Sequence, residues 1–220
     1  MIINLYNLFY LIFLFYIVCF YSIIIIMKKH IKKGFILLFT GLAFISLIIF
    51  LIGNERLFLF INHGLVNQYL DFIVLYIFIP LFVLMGIIPG ILFVFKKDIS
   101  GFFTLFSGGF CYIAGNLIKL IFKMPRPYAV LSDVRIIGPW HMSQFSFPST
   151  TTMLAFGLAF AFFIEKRNKL SHIFLGLACL VGFTVIYTGF HFPKDVVFGV
   201  FLSSVFVFVL KKVKDKLLNL

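Results

Sequence analysis

Residues 72–95 read FIVLYIFIPLFVLMGIIPGILFVF, a run of 24 residues without one charged side chain. A helix needs about 20 apolar residues to cross the hydrocarbon core of a bilayer, so this run is long enough to span it. The alternation of apolar and polar residues that marks the strands of a membrane β-barrel is not seen here. The run therefore predicts a transmembrane helix, and with it an all-α membrane protein.

Six further apolar runs flank this one in the 220-residue chain. Each is predicted to span the membrane, and they occupy residues 4–27, 34–52, 102–122, 148–164, 173–190 and 196–210. The whole chain is 63% hydrophobic and 12% charged, whereas a soluble domain carries about 25% charged residues. A single multi-pass membrane domain is the expected organisation.

The N-terminal run has two interpretations. Met27 followed by two lysines would itself make a plausible start, so residues 1–33 are expected to be an anchor helix or an upstream extension. A cleaved signal peptide fits less well, because the run is long and no basic region precedes it. Residues 34–210 form the predicted transmembrane domain, and residues 211–220 a basic cytoplasmic tail.

The formal net charge of +12 is distributed in short clusters between the apolar runs. Nucleic-acid-binding proteins concentrate basic residues on one polar face, so nucleic acid is not an expected partner. The clusters fall in alternate connections and comprise Lys28, Lys29, Lys32, Lys33, Lys96, Lys97, Lys166, Arg167, Lys169, Lys211, Lys212, Lys214 and Lys216. By the positive-inside rule these connections and the C-terminus are cytoplasmic, while loops 53–71, 123–147 and 191–195 face outward. The high Phe, Ile and Lys usage indicates a low-GC bacterial source, hence a bacterial inner or plasma membrane.

The sequence offers no site for a metal ion or a cofactor. Cys19, Cys111 and Cys179 all lie within apolar runs and lack metal-type spacing. No Gly-rich nucleotide loop, zinc-binding Cys/His pattern or carboxylate cluster suited to Mg²⁺ is present. We therefore expect no cofactor. A channel is also disfavoured, because the spans show no repeated polar face and no Gly-rich filter sequence.

Three polar elements stand at the predicted outer ends of the spans. Lys119 and Arg126 are seven residues apart, which is about two helical turns. Residues 147–152, FPSTTT, place a proline and several hydroxyls at the opening of a span, where free backbone N–H groups can hold an anion. His191 and Asp195 are four residues apart, so a helix would put both on one face.

Each element alone has an ordinary structural explanation: interfacial basic residues, a plain helix cap, and an interfacial histidine beside a capping aspartate. Together they indicate a functional site, because the predicted topology puts all three on the same side of the membrane. Two cations, an open helix N-terminus and a His–Asp pair are the parts of a phosphoryl-transfer site.

At these residues the chain resembles the type 2 phosphatidic acid phosphatase superfamily, whose membrane members have six spans and the motifs K-x6-R-P, P-S-G-H and S-R-x5-H-x3-D. The first motif is matched in full, and the second and third are each matched in half. The matching residues are Lys119, Arg126 and Pro127, then Pro148 and Ser149, and finally His191 and Asp195. The resemblance covers residues 34–210, including stretches 67–71 and 187–196. It implies a six-helix transmembrane bundle, to which the N-terminal run adds one span.

The resemblance also implies roles for single residues. His191 would attack phosphorus, and Asp195 would orient it. Lys119 and Arg126 would bind the phosphate oxygens. Ser149 and the backbone amide of Thr150 would be further phosphate donors. The substrate would be a lipid phosphate or diphosphate within the membrane.

The sequence departs from the family pattern in two places that matter, which together comprise three residues. Thr151 stands where the family has its general-acid histidine, and Thr184-Val185 replace the Ser-Arg of the third motif. A threonine cannot donate a proton as an acid near neutral pH. Loss of a positioned general acid costs about 10²–10⁴ in rate, and loss of a clamp donor about 10²–10³.

Three hypotheses accommodate these departures. In the first, the substrate is a diphosphate such as a polyprenyl diphosphate, whose leaving group needs little protonation. In the second, His141 or a protonated Asp133 from the long outer loop supplies the acid, and Arg135 replaces the lost arginine. In the third, the protein is a pseudoenzyme that only binds or transports phospholipid headgroups.

Overall fold

The computed structural model of the chain describes residues 29–138, 144–166 and 168–218. The chain divides into two units, Met1–Ile45 and Ser46–Leu220. Within the first unit, the described part is helical. The predicted N-terminal span at residues 4–27 lies outside the described residues, and so does His141.

All regular secondary structure in the described part of the chain is helical, with one isolated bridge between Pro125 and Phe145 and no strand. The helices are α1 Lys29–Ile52, α2 Asn54–Gly64, α3 Gln68–Lys96, α4 Ile99–Phe122, α5 Pro127–Val130, α6 Thr150–Lys166, α7 Lys169–Tyr187 and α8 Pro193–Leu218. Helix starts carry the expected capping side chains. The side chains of Asn67, Asp98 and Asn168 each accept a hydrogen bond from a backbone N–H in the first turn that follows.

Four of the described helices, α3, α4, α7 and α8, are long and apolar enough to cross a membrane. Residues Ile36–Ile52 and α2 meet the same criteria only as a pair, and the pair is bent by 101° at Gly53. Helix α6 has 17 residues, which span about 26 Å at 1.5 Å per residue. The all-helical membrane class is thus confirmed, and the described residues give four or five spans by length and composition.

Helix α6 lies at the centre of the second unit, and glycines let its neighbour α4 approach it closely. A Cβ atom at Gly108 of α4 would lie 2.6 Å from Cδ2 of Leu158, and one at Gly115 would lie 2.7 Å from Sδ of Met153. A Cβ at Gly157 of α6 would lie 3.0 Å from Cys111. Small residues of this kind are what allow helices to pack in lipid, where little hydrophobic force drives them together. As a result α6 is buried almost all round.

The basic connections gather at one end of this unit. Lys166 of α6 pairs with Asp98, which precedes α4. Glu165 pairs with Lys211 and Lys214 near the end of α8, at 3.0 and 2.8 Å. Of the connections predicted to share the cytoplasmic side, those at the ends of α3, α6 and α8 therefore lie together. Residues 53–71, 123–138, 144–147 and 188–195 lie at the opposite end, and this end holds the predicted site.

Candidate active site

Lys119 lies in the last turn of α4 and is only 3% exposed. Its Nζ donates a hydrogen bond of 2.8 Å to the carbonyl oxygen of Phe145. The backbone N–H of Ser146 in turn donates to the carbonyl of Met124 at 2.8 Å. The end of the long loop that precedes α6 is therefore held against the chain that leaves α4.

Arg126 follows seven residues later and is 1% exposed. One guanidinium nitrogen, Nη1, donates to the carbonyl oxygen of Phe190 at 2.8 Å and lies 3.4 Å from Nε2 of His191. A buried guanidinium carries a full positive charge, because arginine does not lose its proton in proteins. The first motif thus supplies a cation directly beside the third.

His191 lies in the short link between α7 and α8 and is 2% exposed. Its backbone N–H and that of Phe190 both donate to the carbonyl oxygen of Val185, at 3.0 and 3.1 Å. The link turns at Gly189, whose φ of +89° is costly for other residues, and whose Cβ would lie 2.5 Å from the carbonyl oxygen of Arg135. This tight turn fixes the position of the imidazole.

Asp195 is completely buried in the first turn of α8. Its Oδ2 accepts hydrogen bonds from the backbone N–H of Phe192 at 3.0 Å and from the hydroxyl of Ser146 at 2.5 Å. Nδ1 of His191 lies 3.6 Å from the same oxygen, which is an ion-pair distance and too long for a good hydrogen bond. The other oxygen, Oδ1, has no hydrogen-bond partner among the described residues.

Ser149 and Thr150 lie at the N-terminus of α6, and both are buried. The backbone N–H of Ser149 donates to the carbonyl oxygen of Asp195 at 3.1 Å, so the start of α6 contacts the start of α8. The hydroxyl of Ser149 accepts a bond of 2.9 Å from Thr152. A hydroxyl that accepts in this way still has its own proton to donate. This end of α6 can therefore offer donors to an anion.

Burial lowers the pKa of His191 to about 4. The positive charges of Lys119 and Arg126 lower it further, while Asp195 acts in the opposite direction and raises it. The imidazole is therefore neutral at pH 7, which is the form with a free lone pair. A neutral histidine beside two cations is suited to attack an electrophile that carries negative charge.

Arg135 and Asp133 lie in a different part of the same end of the unit. Nη1 of Arg135 binds both carboxylate oxygens of Asp71, at 3.0 and 2.9 Å. The side chain of Asp133 is 91% exposed and lies 3.9 Å from Nε2 of His63. The structure does not bring either side chain to His191.

The three positions that depart from the family pattern have plain environments. Thr151 is half-buried in the first turn of α6. Thr184 is buried, and its hydroxyl oxygen lacks a hydrogen-bond partner in the part of the chain that the structure describes. Val185 is buried and acts through its backbone, since its carbonyl holds the N–H groups of Phe190 and His191.

Ser146 was not singled out from the sequence, although it is 1% exposed and contacts both His191 and Asp195. Its hydroxyl oxygen lies 3.3 Å from Nδ1 of the histidine. The only sequence signal was its place two residues before Pro148, just outside the second motif. A lone serine in a loop has no periodicity that could have revealed it.

Comparisons with known proteins identify the family and several relatives of this chain. The family model of the PAP2 superfamily matches residues 100–218. The undecaprenyl-diphosphatase BcrC of Bacillus subtilis (strain 168) is 30% identical over 162 residues, covering 70% of this chain and 81% of the relative. Phosphatidylglycerophosphatase B of the same organism is 30% identical over 150 residues, covering 63% and 68%.

One further relative matches over part of its length, and one solved structure matches over most of its length. The bacitracin transport permease protein BcrC of Bacillus licheniformis is 34% identical over 99 residues, covering 44% of this chain. This match spans about half, 48%, of that relative's length. The crystal structure of Aquifex aeolicus LpxE aligns with a TM-score of 0.53 and 28% identity, covering 72% of this chain and 94% of that one.

Proposed function

The chain belongs to the PAP2 superfamily, and we propose that it hydrolyses a lipid phosphate or polyprenyl diphosphate through a phosphohistidine on His191. One observation carries the proposal: two segments that are far apart in the sequence place Lys119, Arg126, His191 and Asp195 in a single buried cluster. Relatives of this chain include an undecaprenyl-diphosphatase and a phosphatidylglycerophosphatase.

The two cations would bind the transferred phosphoryl group. Nη1 of Arg126 lies 3.4 Å from Nε2 of His191, so a phosphoryl group bound to the guanidinium is held close to the attacking nitrogen. Lys119 adds a second positive charge, which its neighbours shield from water. Charges that are already in position stabilise a phosphoryl-transfer transition state more strongly than they would in water.

The chemical steps follow from this placement. The lone pair on Nε2 of His191 attacks phosphorus, the bond from phosphorus to the leaving oxygen breaks, and that oxygen keeps the electron pair. Water then attacks the phosphohistidine, which releases inorganic phosphate, restores the imidazole and gives up one proton to the solvent. Ser149 and the amide of Thr150 would donate hydrogen bonds to the phosphate oxygens during both steps.

The environment of Thr151 favours a diphosphate as the substrate. Thr151 itself cannot donate a proton near neutral pH, and Asp133, the alternative acid considered above, is exposed and lies 3.9 Å from Nε2 of His63. A lipid phosphate leaves readily as an anion, since its second pKa is about 6. An alkoxide needs a proton to leave, so a phosphate monoester would be hydrolysed more slowly.

The proposed place of this reaction is the outer face of a bacterial inner or plasma membrane. The basic connections lie together at the opposite end of the unit from the site. The positive-inside rule would put that basic end in the cytoplasm and the site outside.

Phosphate release from purified protein tests the proposal. The panel is undecaprenyl diphosphate, phosphatidylglycerol phosphate and phosphatidate, each presented in liposomes to the parent chain, His191→Ala and His172→Ala. His172 is an exposed histidine at the other end of the unit and provides the matched control. We expect release by the parent and by His172→Ala, most rapid with the diphosphate, and background release by His191→Ala.

Two outcomes would overturn the proposal. Activity retained in His191→Ala would exclude a phosphohistidine intermediate. Background release by the parent on every lipid would instead favour a headgroup-binding protein, which the replacement of the family arginine by the buried Val185 also favours. Binding of labelled lipid phosphate to the parent, lost in Arg126→Ala, would then identify that second function.

A further inference from the structure

Ser146 lies between the two members of the His–Asp pair. Its Oγ is 2.5 Å from Oδ2 of Asp195 and 3.3 Å from Nδ1 of His191. The direct distance from Nδ1 to Oδ2 is 3.6 Å. The histidine and the aspartate are thus linked more closely through the serine hydroxyl than to each other.

We propose that Ser146 is a positioning residue that holds His191 in the tautomer with the proton on Nδ1 and the lone pair on Nε2. The catalytic consequence rests on the proposed function, whereas the tautomer itself can be measured without turnover.

Hydrogen-bond chemistry at both ring nitrogens supports the same tautomer. A carboxylate only accepts, so the short contact to Asp195 must use the hydroxyl proton of Ser146. The hydroxyl then offers only lone pairs to Nδ1, which must carry a proton to bond with it. At the other side of the ring, Nη1 of Arg126 can only donate to Nε2, which must therefore present a lone pair.

The fixed tautomer also directs the nucleophile. With Nδ1 protonated and turned towards Ser146, the free lone pair of Nε2 faces Arg126, where the phosphoryl group would be bound. Phosphorylation makes the ring cationic, and the Ser146 hydroxyl connects that charge to the carboxylate of Asp195. Removal of the hydroxyl leaves Nδ1 facing an oxygen 3.6 Å away and lets the ring rotate or change tautomer.

The local fold explains how a loop serine reaches this place. The N–H of Ser146 donates a hydrogen bond to the carbonyl oxygen of Met124. The neighbouring Phe145 forms a β-bridge with Pro125, and its carbonyl oxygen accepts a hydrogen bond from the Lys119 ammonium. The segment that carries Ser146 is therefore held both by backbone hydrogen bonds and by the side chain of Lys119. This arrangement makes the residue part of the same cluster as the first motif.

The test compares the parent with Ser146→Ala, Ser146→Thr and Ser204→Ala. Threonine keeps the hydroxyl and should restore much of the function. Ser204 is a matched control, since it is a fully buried serine of α8 whose hydroxyl binds the carbonyl of Phe201. It lies nine residues beyond Asp195, about 14 Å along the helix.

Two readouts separate orientation from folding. We expect Ser146→Ala to lower kcat about 10- to 100-fold, by analogy with the loss of a bond that orients a metal-bound histidine, with KM nearly unchanged. Nitrogen NMR of protein labelled in its histidines, with the His191 signal assigned by its loss in His191→Ala, should show a protonated Nδ1 in the parent. In Ser146→Ala the two tautomers should mix, and Ser204→Ala should match the parent in both measurements.

The outcomes distinguish this inference from the proposed function. An active parent, an inactive His191→Ala and a Ser146→Ala with parental kcat and an unchanged tautomer would overturn the role of Ser146 and leave the phosphatase proposal standing. If no lipid is hydrolysed by any variant, the phosphatase proposal fails, and the NMR spectra alone decide. In that case an unchanged tautomer in Ser146→Ala overturns the inference, and a mixed one supports it.

Discussion

Burial and neighbouring charges both change the pKa of His191. Burial takes the pKa down to about 4, Lys119 and Arg126 add to that effect, and Asp195 opposes it. An exposed histidine has a pKa of about 6.5 and would be partly protonated in mildly acidic medium. The buried imidazole stays neutral, so it remains a nucleophile over a wider range of pH.

This shift predicts the acid limb of the activity profile. Because protonation removes the lone pair, kcat/KM should hold as the pH falls from 7 to about 5 and should be lost as the pH falls through about 4. The second ionisation of a phosphate substrate, near pH 6, also contributes to such a profile. An NMR titration of the His191 imidazole therefore gives the cleaner measurement. A midpoint near 6.5 in the folded protein, equal to that in denaturant, would contradict the prediction.

The four main side chains of the site could be anticipated from the sequence, for a physical reason. Lys119 lies at the end of one apolar run and Arg126 just beyond it. His191 and Asp195 precede another run, and the alternation of the spans puts both sets at one end. Ser146 could not be anticipated, because its importance depends on a tertiary contact to Asp195. Arg135 was predicted to assist the site as a basic residue of the outer loop, yet its guanidinium is bound to Asp71.

At the scale of helices, the cluster around Arg135 connects the loop that precedes α6 to three elements. The carboxylate of Asp71 in α3 accepts hydrogen bonds from the Arg135 guanidinium and from the Tyr187 hydroxyl, the latter at 2.6 Å. The side-chain amide of Asn62 in α2 donates to the carbonyls of Arg135 and Tyr187 at 2.8 and 2.9 Å. The loop that carries Ser146 is thereby attached to α2, α3 and the end of α7.

Removing the carboxylate should loosen this attachment. We expect Asp71→Asn to lower the free energy of unfolding by about 1–3 kcal/mol, because a two-pronged charge-assisted pair and the bond to Tyr187 are lost together. Thermal unfolding in detergent measures the change. Asp215→Asn is the matched control, since that residue forms a more exposed ion pair with Lys211 at the other end, where such pairs contribute less than about 1 kcal/mol. Equal melting temperatures for the two variants would contradict the prediction.

Adjacent glycines in α4 provide another test at this scale. A Cβ at Gly108 would meet Leu158 at 2.6 Å, whereas one at Gly109 would meet no atom within 4 Å. Gly108→Val should therefore cost about 1–3 kcal/mol by overpacking, and Gly109→Val should be nearly neutral. Both variants introduce the same side chain into the same helix, so helix propensity cancels in the comparison. Similar losses of stability, read by thermal unfolding, would show that α4 and α6 do not pack through Gly108.

The helices themselves were largely predictable from the apolar runs, because each run must satisfy its backbone hydrogen bonds internally in lipid. The bend at Gly53 and the helix α2 were not, since residues 53–71 are too polar to indicate a span and were interpreted as a loop. The glycine contacts between α4 and α6 were also missed. A glycine in a single sequence does not show which neighbour approaches it.

At the scale of the whole molecule, charge is arranged along the direction of the spans. Basic residues and their acidic partners collect where α6 and α8 end, and the predicted phosphate site collects where both begin. A phosphorylated lipid headgroup resides at the membrane surface, so a site at the ends of helices can take the headgroup while the chains remain in lipid. Because the site lies at one end of the helices only, a substrate supplied from one side of the membrane can be reached in only one orientation of the protein.

The orientation can be measured with single cysteines. In a chain whose native cysteines are replaced, Glu55→Cys lies on the exposed surface of α2 at the site end, and Lys216→Cys lies on the exposed end of α8. Because Lys and Arg are retained on the cytoplasmic side, a membrane-impermeant thiol reagent should label Glu55→Cys in intact cells. It should label Lys216→Cys only after permeabilisation. The reverse pattern would place the site in the cytoplasm, and labelling of both cysteines in intact cells would show that the two ends do not lie on opposite sides of the membrane.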